Sequence, residues 1–320
     1  MYAGYGLLID SDLPLPDLAR EPALSASSPD VVVRLGPVAP PSAGAVLLPR
    51  GLWVDGGRIG MDVPEVGRYA CSDGALITVE AAPGASEDAL RLFLLGSALG
   101  CLLTQRGLLV LHGNAFVVDG GCAVVLGHSG AGKSTLAAEM HRRGHLVLSD
   151  DVVPVDAAGR AIPGWPRIKL WQDALDRLGL PATGLDRVDD RFQKFHVPLD
   201  RAGSLTPVPI RWIYVLDRHD GPLRVVPVTG AAAFAGLHEH SYRNEVLVGE
   251  LRRTHLARSA DLVRTTRLAR VDRPRGIDSV VDSADAILTD IHSTTPQAPS
   301  GRRAIREEHH ATRPTRTMGA

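Results

Sequence analysis

Between the apolar run Ala123-Val124-Val125-Leu126 and the helix-forming run Leu136-Ala137-Ala138-Glu139-Met140 lie nine residues suited to holding phosphate: Gly127, His128, Ser129, Gly130, Ala131, Gly132, Lys133, Ser134 and Thr135. They match G-x-x-x-x-G-K-[ST] at every fixed position, in the strand-loop-helix setting that the pattern requires. Glycines let successive backbone N–H groups turn inward on phosphate oxygens, and the helix that follows adds its positive end. Lys133 supplies a point charge for the β- and γ-phosphates, and the Ser134 hydroxyl can ligate Mg²⁺. A chance glycine turn before a helix is the bland alternative, and the two correct flanks argue against it.

The next apolar stretch, Leu146-Val147-Leu148-Ser149, leads into Asp150 and Asp151. It comes about one helix after the loop, so the strand it forms should return both carboxylates to the phosphates. On an extended chain adjacent side chains point opposite ways. One carboxylate is then expected to steady Mg²⁺ and the other to accept a proton from an attacking hydroxyl. The competing reading is a helix cap or turn pair, which aspartates often form. His112 closes the apolar run Leu108-Leu109-Val110-Leu111 and could lie beside the triphosphate, polarising an oxygen or orienting a carboxylate. An isolated histidine is as readily structural.

Lysine occurs only at 133, 169 and 194 among 35 basic residues. Where arginine is otherwise used throughout, a retained lysine suggests a need for a compact ammonium rather than a planar fork. Lys169 alternates with Arg167, so the pair should share one face of an extended segment. Lys194 is expected on a loop. Arg167, Lys169 and Lys194 are thus candidate contacts for phosphate or acceptor, against the plainer reading of solvated surface residues.

These residues need a scaffold. Residues 1–85 carry short β-branched or alternating stretches between Pro, Gly and Ser clusters, as expected of a small β-rich domain. Ser86 caps a dense apolar helix that stops at Arg106-Gly107. Asp119-Gly120 between two apolar runs signals a hairpin whose second arm delivers the loop. Strands and short helices follow, with a closing helix over 278–291, so that 86–291 is read as one domain of an α/β protein. Residues 292–320 are poor in large hydrophobes and rich in Pro, Thr, Arg and His, as in a disordered tail. The Glu307-Glu308-His309-His310 run within it is read as solvated rather than metal-binding.

Composition excludes some classes. The chain has 320 residues, 44% apolar, with a net charge of −1. Such a balance gives no general pull toward nucleic acid or an anionic membrane. No apolar run reaches membrane-spanning length and no signal peptide is evident, so a cytoplasmic location is expected. Cys71, Cys101 and Cys122 are odd in number and widely spaced, and are read as buried small hydrophobes rather than disulfide or zinc partners.

Residues 111–153, from "LHGNAFVVDGG" through "GHSGAGKST" to "RRGHLVLSDDVV", resemble the core of the HPr kinase/phosphorylase family, bacterial serine kinases acting on a carrier protein. The resemblance implies a P-loop kinase core of the type shared with phosphoenolpyruvate carboxykinase. It places His112, Lys133 and Asp151 on catalytic positions, Asp151 as the proton acceptor, and Ser134 on a magnesium ligand. The family's R-P-V-x-P-G-R-N signature has no match downstream, and "PGWPRIKLW" stands where its E-I-R-G glutamate is expected. The reverse, phosphate-using reaction and the family's own metal ligation beyond Ser134 are therefore left without counterparts, and Asp150 is read as the second magnesium ligand. More loosely, "YGLLIDSDLPLPDL", "PGWPRIKLW" and the closing helix are similar to HPr-kinase-related proteins of peptide-tailoring systems, some of which resemble lasso-peptide precursor kinases.

The expected activity is ATP- and Mg²⁺-dependent phosphorylation of a serine hydroxyl on a protein or peptide. An ATP-binding regulatory switch without transfer and a small-metabolite kinase are the alternatives. No nucleic acid or membrane partner is expected, and the oligomeric state is left open.

Overall fold

The structure, a computed structural model, describes residues 1–20, 28–165, 167–189, 192–199, 206–274 and 280–295. The 296–320 part of the tail, with its Glu-Glu-His-His run, lies outside the described residues.

Short alternating strands build a nine-stranded mixed sheet from residues 2–81. In Val31–Leu35 the side chains of Val31 and Val33 are buried while Val32 and Arg34 are half-exposed, the two-residue period of a sheet with one apolar face. That face is covered by helix. The Ser86 hydroxyl accepts from the Ala89 amide at 3.2 Å and opens Glu87–Phe93. A π-helical turn, Leu94–Ala98, and a second helix, Leu99–Gln105, continue it. Gly107, at φ 78°, takes the left-handed conformation that ends such a helix. Tyr69, Ile77 and Val79 from the sheet pack with Leu94, Leu99 and Leu102 in one apolar cluster, which also takes in Val110 and Val152.

The second sheet has seven strands. Leu109–Val118 and Gly121–Leu126 form the expected hairpin, with Asp119 (φ 47°) and Gly120 (φ 68°) both left-handed as a two-residue turn requires. Val147–Val155 pairs antiparallel with the other edge of Leu109–Val118. Gly121–Leu126 also runs parallel to Val208–His219, so five strands of this sheet close on themselves. A separate two-stranded ribbon joins Arg167–Trp171 to Lys194–Pro198.

The helix after the glycine-rich loop, Lys133–Arg142, buries Leu136, Ala137 and Met140 with Val125 and Trp212 from the sheet. The closing helix spans Val280–Thr294 and adds Ala284, Ile287 and Ile291 to the same cluster. It runs beyond the expected end, so His292 is helical rather than the start of a tail. All three cysteines are buried and unpaired, and burial pushes the Cys101 thiol up to about 12. No helix among the described residues is long and apolar enough to cross a membrane.

His255, on the helix Gly249–Thr265, is buried among Ser241 Oγ, Ser259 Oγ and His238 Nδ1, at 3.3, 3.4 and 3.3 Å. Burial, followed by the neighbouring His238, lowers its pKa from 6.5 to about 4. Below pH 6.5 the unfolded chain takes up a proton that the folded chain refuses until about pH 4, so stability falls as pH falls through that window. The His255 contribution to that loss should be ~3 kcal/mol. His255→Gln should flatten the pH dependence of denaturant unfolding across this window. An unchanged slope would remove His255 from the account.

Candidate functional site

The glycine-rich loop leaves the sheet at Leu126 and enters its helix at Lys133. Gly132 stands at φ 86°, a conformation strained for any side chain, and this turns the chain into the first helical residue. Lys133 is buried, not an exposed loop charge, at 8% exposure. Its Nζ donates to the carbonyls of Gly127 and His128 at 2.7 and 3.1 Å. Burial lowers its pKa, and the charges of Asp151 and Asp150 oppose that shift.

Asp150 lies opposite Asn114 across the pair Leu109–Val118 and Val147–Val155. Its carboxylate collects donors from three elements. Oδ1 accepts from Ser134 Oγ at 3.0 Å and from the buried Asn114 Nδ2, and Oδ2 accepts from the Lys169 amide at 2.7 Å. Burial, then the adjacent Asp151 charge, raises its pKa.

The two aspartates do not end their strand, which runs on to Val155. Nor do they point to opposite faces. Asp151 has φ 73°, so the chain leaves the extended region there and the alternation fails. Both carboxylates reach the same cleft. Asp151 Oδ1 lies 3.2 Å from His112 Nδ1 and its Oδ2 lies 3.5 Å from Lys169 Nζ. Burial would raise the Asp151 pKa, but the Lys169 charge, the His112 hydrogen bond and Lys194 outweigh it and hold the carboxyl well below its usual range. His112 sits within the strand Leu109–Val118 rather than at its end. The following Gly113 leaves room where a Cβ would come within 2.4 Å of the Val125 carbonyl oxygen.

These residues wall a cleft of about 270 Å³, with Ser129, Gly130, Gly132, Lys133, Ser134 and Thr135 on one side and His112, Asp150 and Asp151 on another. Lys169 and Lys194 complete it from the two-stranded ribbon. Lys194 begins a strand rather than occupying a loop, and burial together with the Lys169 charge lowers its pKa. Lys169 and Arg167 do share a face, but it is buried rather than solvated. Arg167 is turned away from the loop, paired with Asp17 in a second cleft of about 200 Å³.

A third cleft, about 640 Å³, takes Gly127 and His128 from the loop and shares Ser129, His112 and Asp151 with the first. His128 Nε2 there lies 3.1 Å from Glu239 Oε1. Ala131 lines neither cleft, and its carbonyl accepts from Arg273 Nη2.

Sequence reasoning missed Asn114, Arg218 and Arg273. Asn114 carried a signal, an amide inside the apolar strand "LVLHGNAFVV". The two arginines, which line the first cleft, carried none in so arginine-rich a chain.

No family model matches the sequence. No curated protein matches it either. Among solved structures the chain is similar to the HPr(Ser) kinase/phosphatase from Coxiella burnetii, at 14% identity and a TM-score of 0.25, over 57% of this chain and 91% of that one. The similarity is distant and assigns no family.

The Asp151 pKa should depend on Lys169 above other neighbours. Lys169→Met should move it upward by at least about one unit, toward the ordinary carboxylate range, in a carboxylate ¹³C NMR titration. No movement would mean that Lys169 does not hold the carboxyl down.

Proposed function

We propose that the first cleft binds ATP with Mg²⁺ and that the protein transfers the γ-phosphoryl group to a serine hydroxyl of a protein or peptide. In this reading residues 86–291 form a P-loop kinase core of the HPr kinase/phosphoenolpyruvate carboxykinase type, 1–85 a β-rich accessory domain, and the setting is cytoplasmic. One observation carries the proposal: the Ser134–Asp150 pair and the His112–Asp151–Lys169 group open onto the same cleft as the glycine-rich loop.

The donor set fits the metal. Ser134 Oγ and Asp150 Oδ1, 3.0 Å apart, are hard oxygen ligands of the kind that suits Mg²⁺. Close to them Asn114 Oδ1 is buried and has no hydrogen-bond partner among the described residues. A bound Mg²⁺ would supply charge neutralisation at the phosphate oxygens.

The remaining chemistry falls to side chains. Loop amides and Lys133 hold the phosphates, while Lys169 and Lys194 add positive charge from the ribbon. The acceptor oxygen bonds to the γ-phosphorus as the bond to the ADP oxygen breaks, and the hydroxyl proton passes to Asp151. His112 orients that carboxylate at 3.2 Å. A free Asp151 is a weak base, held down by its cationic neighbours. An incoming triphosphate would offset those charges and raise its basicity, and a loose transition state asks little of the base. Asp151 and His112 wall both the first and third clefts. A polypeptide serine entering by the third would therefore meet the phosphoryl group at Asp151.

The test is transfer from γ-labelled ATP to candidate peptides. Lys133→Ala should lower the rate more than about a hundredfold, as loss of one preorganised charge does. Lys133→Arg should also fail, because a planar guanidinium cannot replace the compact ammonium among the loop carbonyls. Normal turnover in either variant would exclude the proposal, and nucleotide binding without transfer to any acceptor would favour a regulatory switch.

The two aspartates should separate kinetically. Asp151→Asn should cut kcat by ~10²–10⁴ while nucleotide affinity stays within a few fold, because only the proton acceptor is lost. Asp150→Asn should instead raise the Mg²⁺ concentration needed for half-maximal rate. The opposite pattern would exchange the two roles.

A further inference from the structure

The loop residue His128 lines the third cleft and not the first. It meets Glu239, the last residue of the helix Gly230–Glu239, and His240, which caps that helix. One ligand atom from each of the three lies within 4.8 Å of the other two. The imidazoles of His128 and His240 are 5.1 Å apart at their centroids and steeply inclined. We propose that His128, Glu239 and His240 form a binding site for a divalent metal ion of the zinc class.

Ligand chemistry selects the class of ion. Two imidazoles and one carboxylate suit Zn²⁺ and its borderline neighbours, whereas Mg²⁺ and Ca²⁺ prefer all-oxygen sets. Three protein ligands leave a fourth tetrahedral position for water. The helix ends at this point, so the negative end of its dipole favours a cation.

The site is also built rather than casual. His240 is 5% exposed, and its backbone is held on both sides. Its amide donates to Gly236 O at 3.2 Å, and its carbonyl accepts from the His112 amide at 2.7 Å. Neither ring nitrogen of His240 has a hydrogen-bond partner among the described residues, so the buried imidazole is available to an ion. His238, two residues before His240, and His255, on the helix Gly249–Thr265, are instead engaged with each other, and His255 also contacts two serines.

An ion here would have a mechanical consequence. His128 O accepts from both Lys133 Nζ and the Ala131 amide, at 3.1 and 3.0 Å. Fixing the His128 side chain to the end of Gly230–Glu239 would therefore tie down the first half of the glycine-rich loop.

The test uses the full chain, stripped with a chelator and titrated with Zn²⁺ by calorimetry and with Co²⁺ by visible absorption. One equivalent should bind, with the ligand-field bands of tetrahedral Co²⁺. His128→Ala and Glu239→Gln each change an exposed side chain and should leave folding intact while weakening uptake at least about tenfold. His240→Ala should do the same, with circular dichroism as its folding control. A His309→Ala/His310→Ala variant should keep the site, which separates it from the histidines near the C-terminus. Unchanged uptake in His128→Ala and Glu239→Gln, or loss only in the His309/His310 variant, would overturn the assignment. The readout is metal occupancy, so its outcome is independent of whether the protein transfers phosphate.

Discussion

The carboxylate of Asp150 ties together three elements that are far apart in the chain. Asn114 comes from the first arm of the hairpin, Ser134 from the helix after the loop, and the Lys169 amide from the two-stranded ribbon. Each donor offsets part of the cost of removing a charged group from water, and none alone would suffice. The raised pKa of Asp150 reflects that cost, with the neighbouring Asp151 charge adding to it. Because its partners belong to three separate elements, this one side chain sets where hairpin, loop helix and ribbon stand relative to each other. The cleft exists because those three meet there.

A second constraint follows one residue on. In a regular strand Asp151 would face away from Asp150. At φ 73° it instead turns toward the same cleft, a conformation that costs a non-glycine residue about 1–3 kcal/mol. His112 on the paired strand and Lys169 on the ribbon receive it. A left-handed residue held in the middle of a strand by charged neighbours is a common way for a fold to store strain where chemistry is done. The turn also places Asp151 on the wall between two clefts, where one group could serve reactants arriving from either side.

The lysines illustrate how composition can point to geometry. Lys133, Lys169 and Lys194 come from a helix start, the middle of one strand and the beginning of another, yet all three line the same cleft. Their charges face Asp150 and Asp151, and burial depresses the pKa of Lys133 and Lys194. A cluster of ammonium groups beside two carboxylates is suited to a polyanion that carries its own cation. Arg167 shares the ribbon face with Lys169 but is drawn off by Asp17, so proximity in sequence was a poor guide to shared purpose.

What the sequence determined by itself was local. The glycine-lysine-serine spacing, the Asp119-Gly120 turn and the Ser86 cap each depend on interactions within a few residues, and each is legible in the chain. His112, Asp150, Asp151 and the three lysines were legible as residue types whose chemistry matched the loop. Only the tertiary structure decided how they face one another. The left-handed turn at Asp151 depends on partners 39 and 18 residues away, His112 and Lys169, and no local pattern encodes it. Arg273 reaches the loop from a strand about 140 residues on, one arginine among many until the sheet brings it there. His128 read only as one of the phosphate-loop residues, because its neighbours Glu239 and His240 lie beyond the reach of any sequence spacing. Side-chain types are chosen one position at a time, whereas a binding site is a set of distances, and those distances are fixed only when the sheets close.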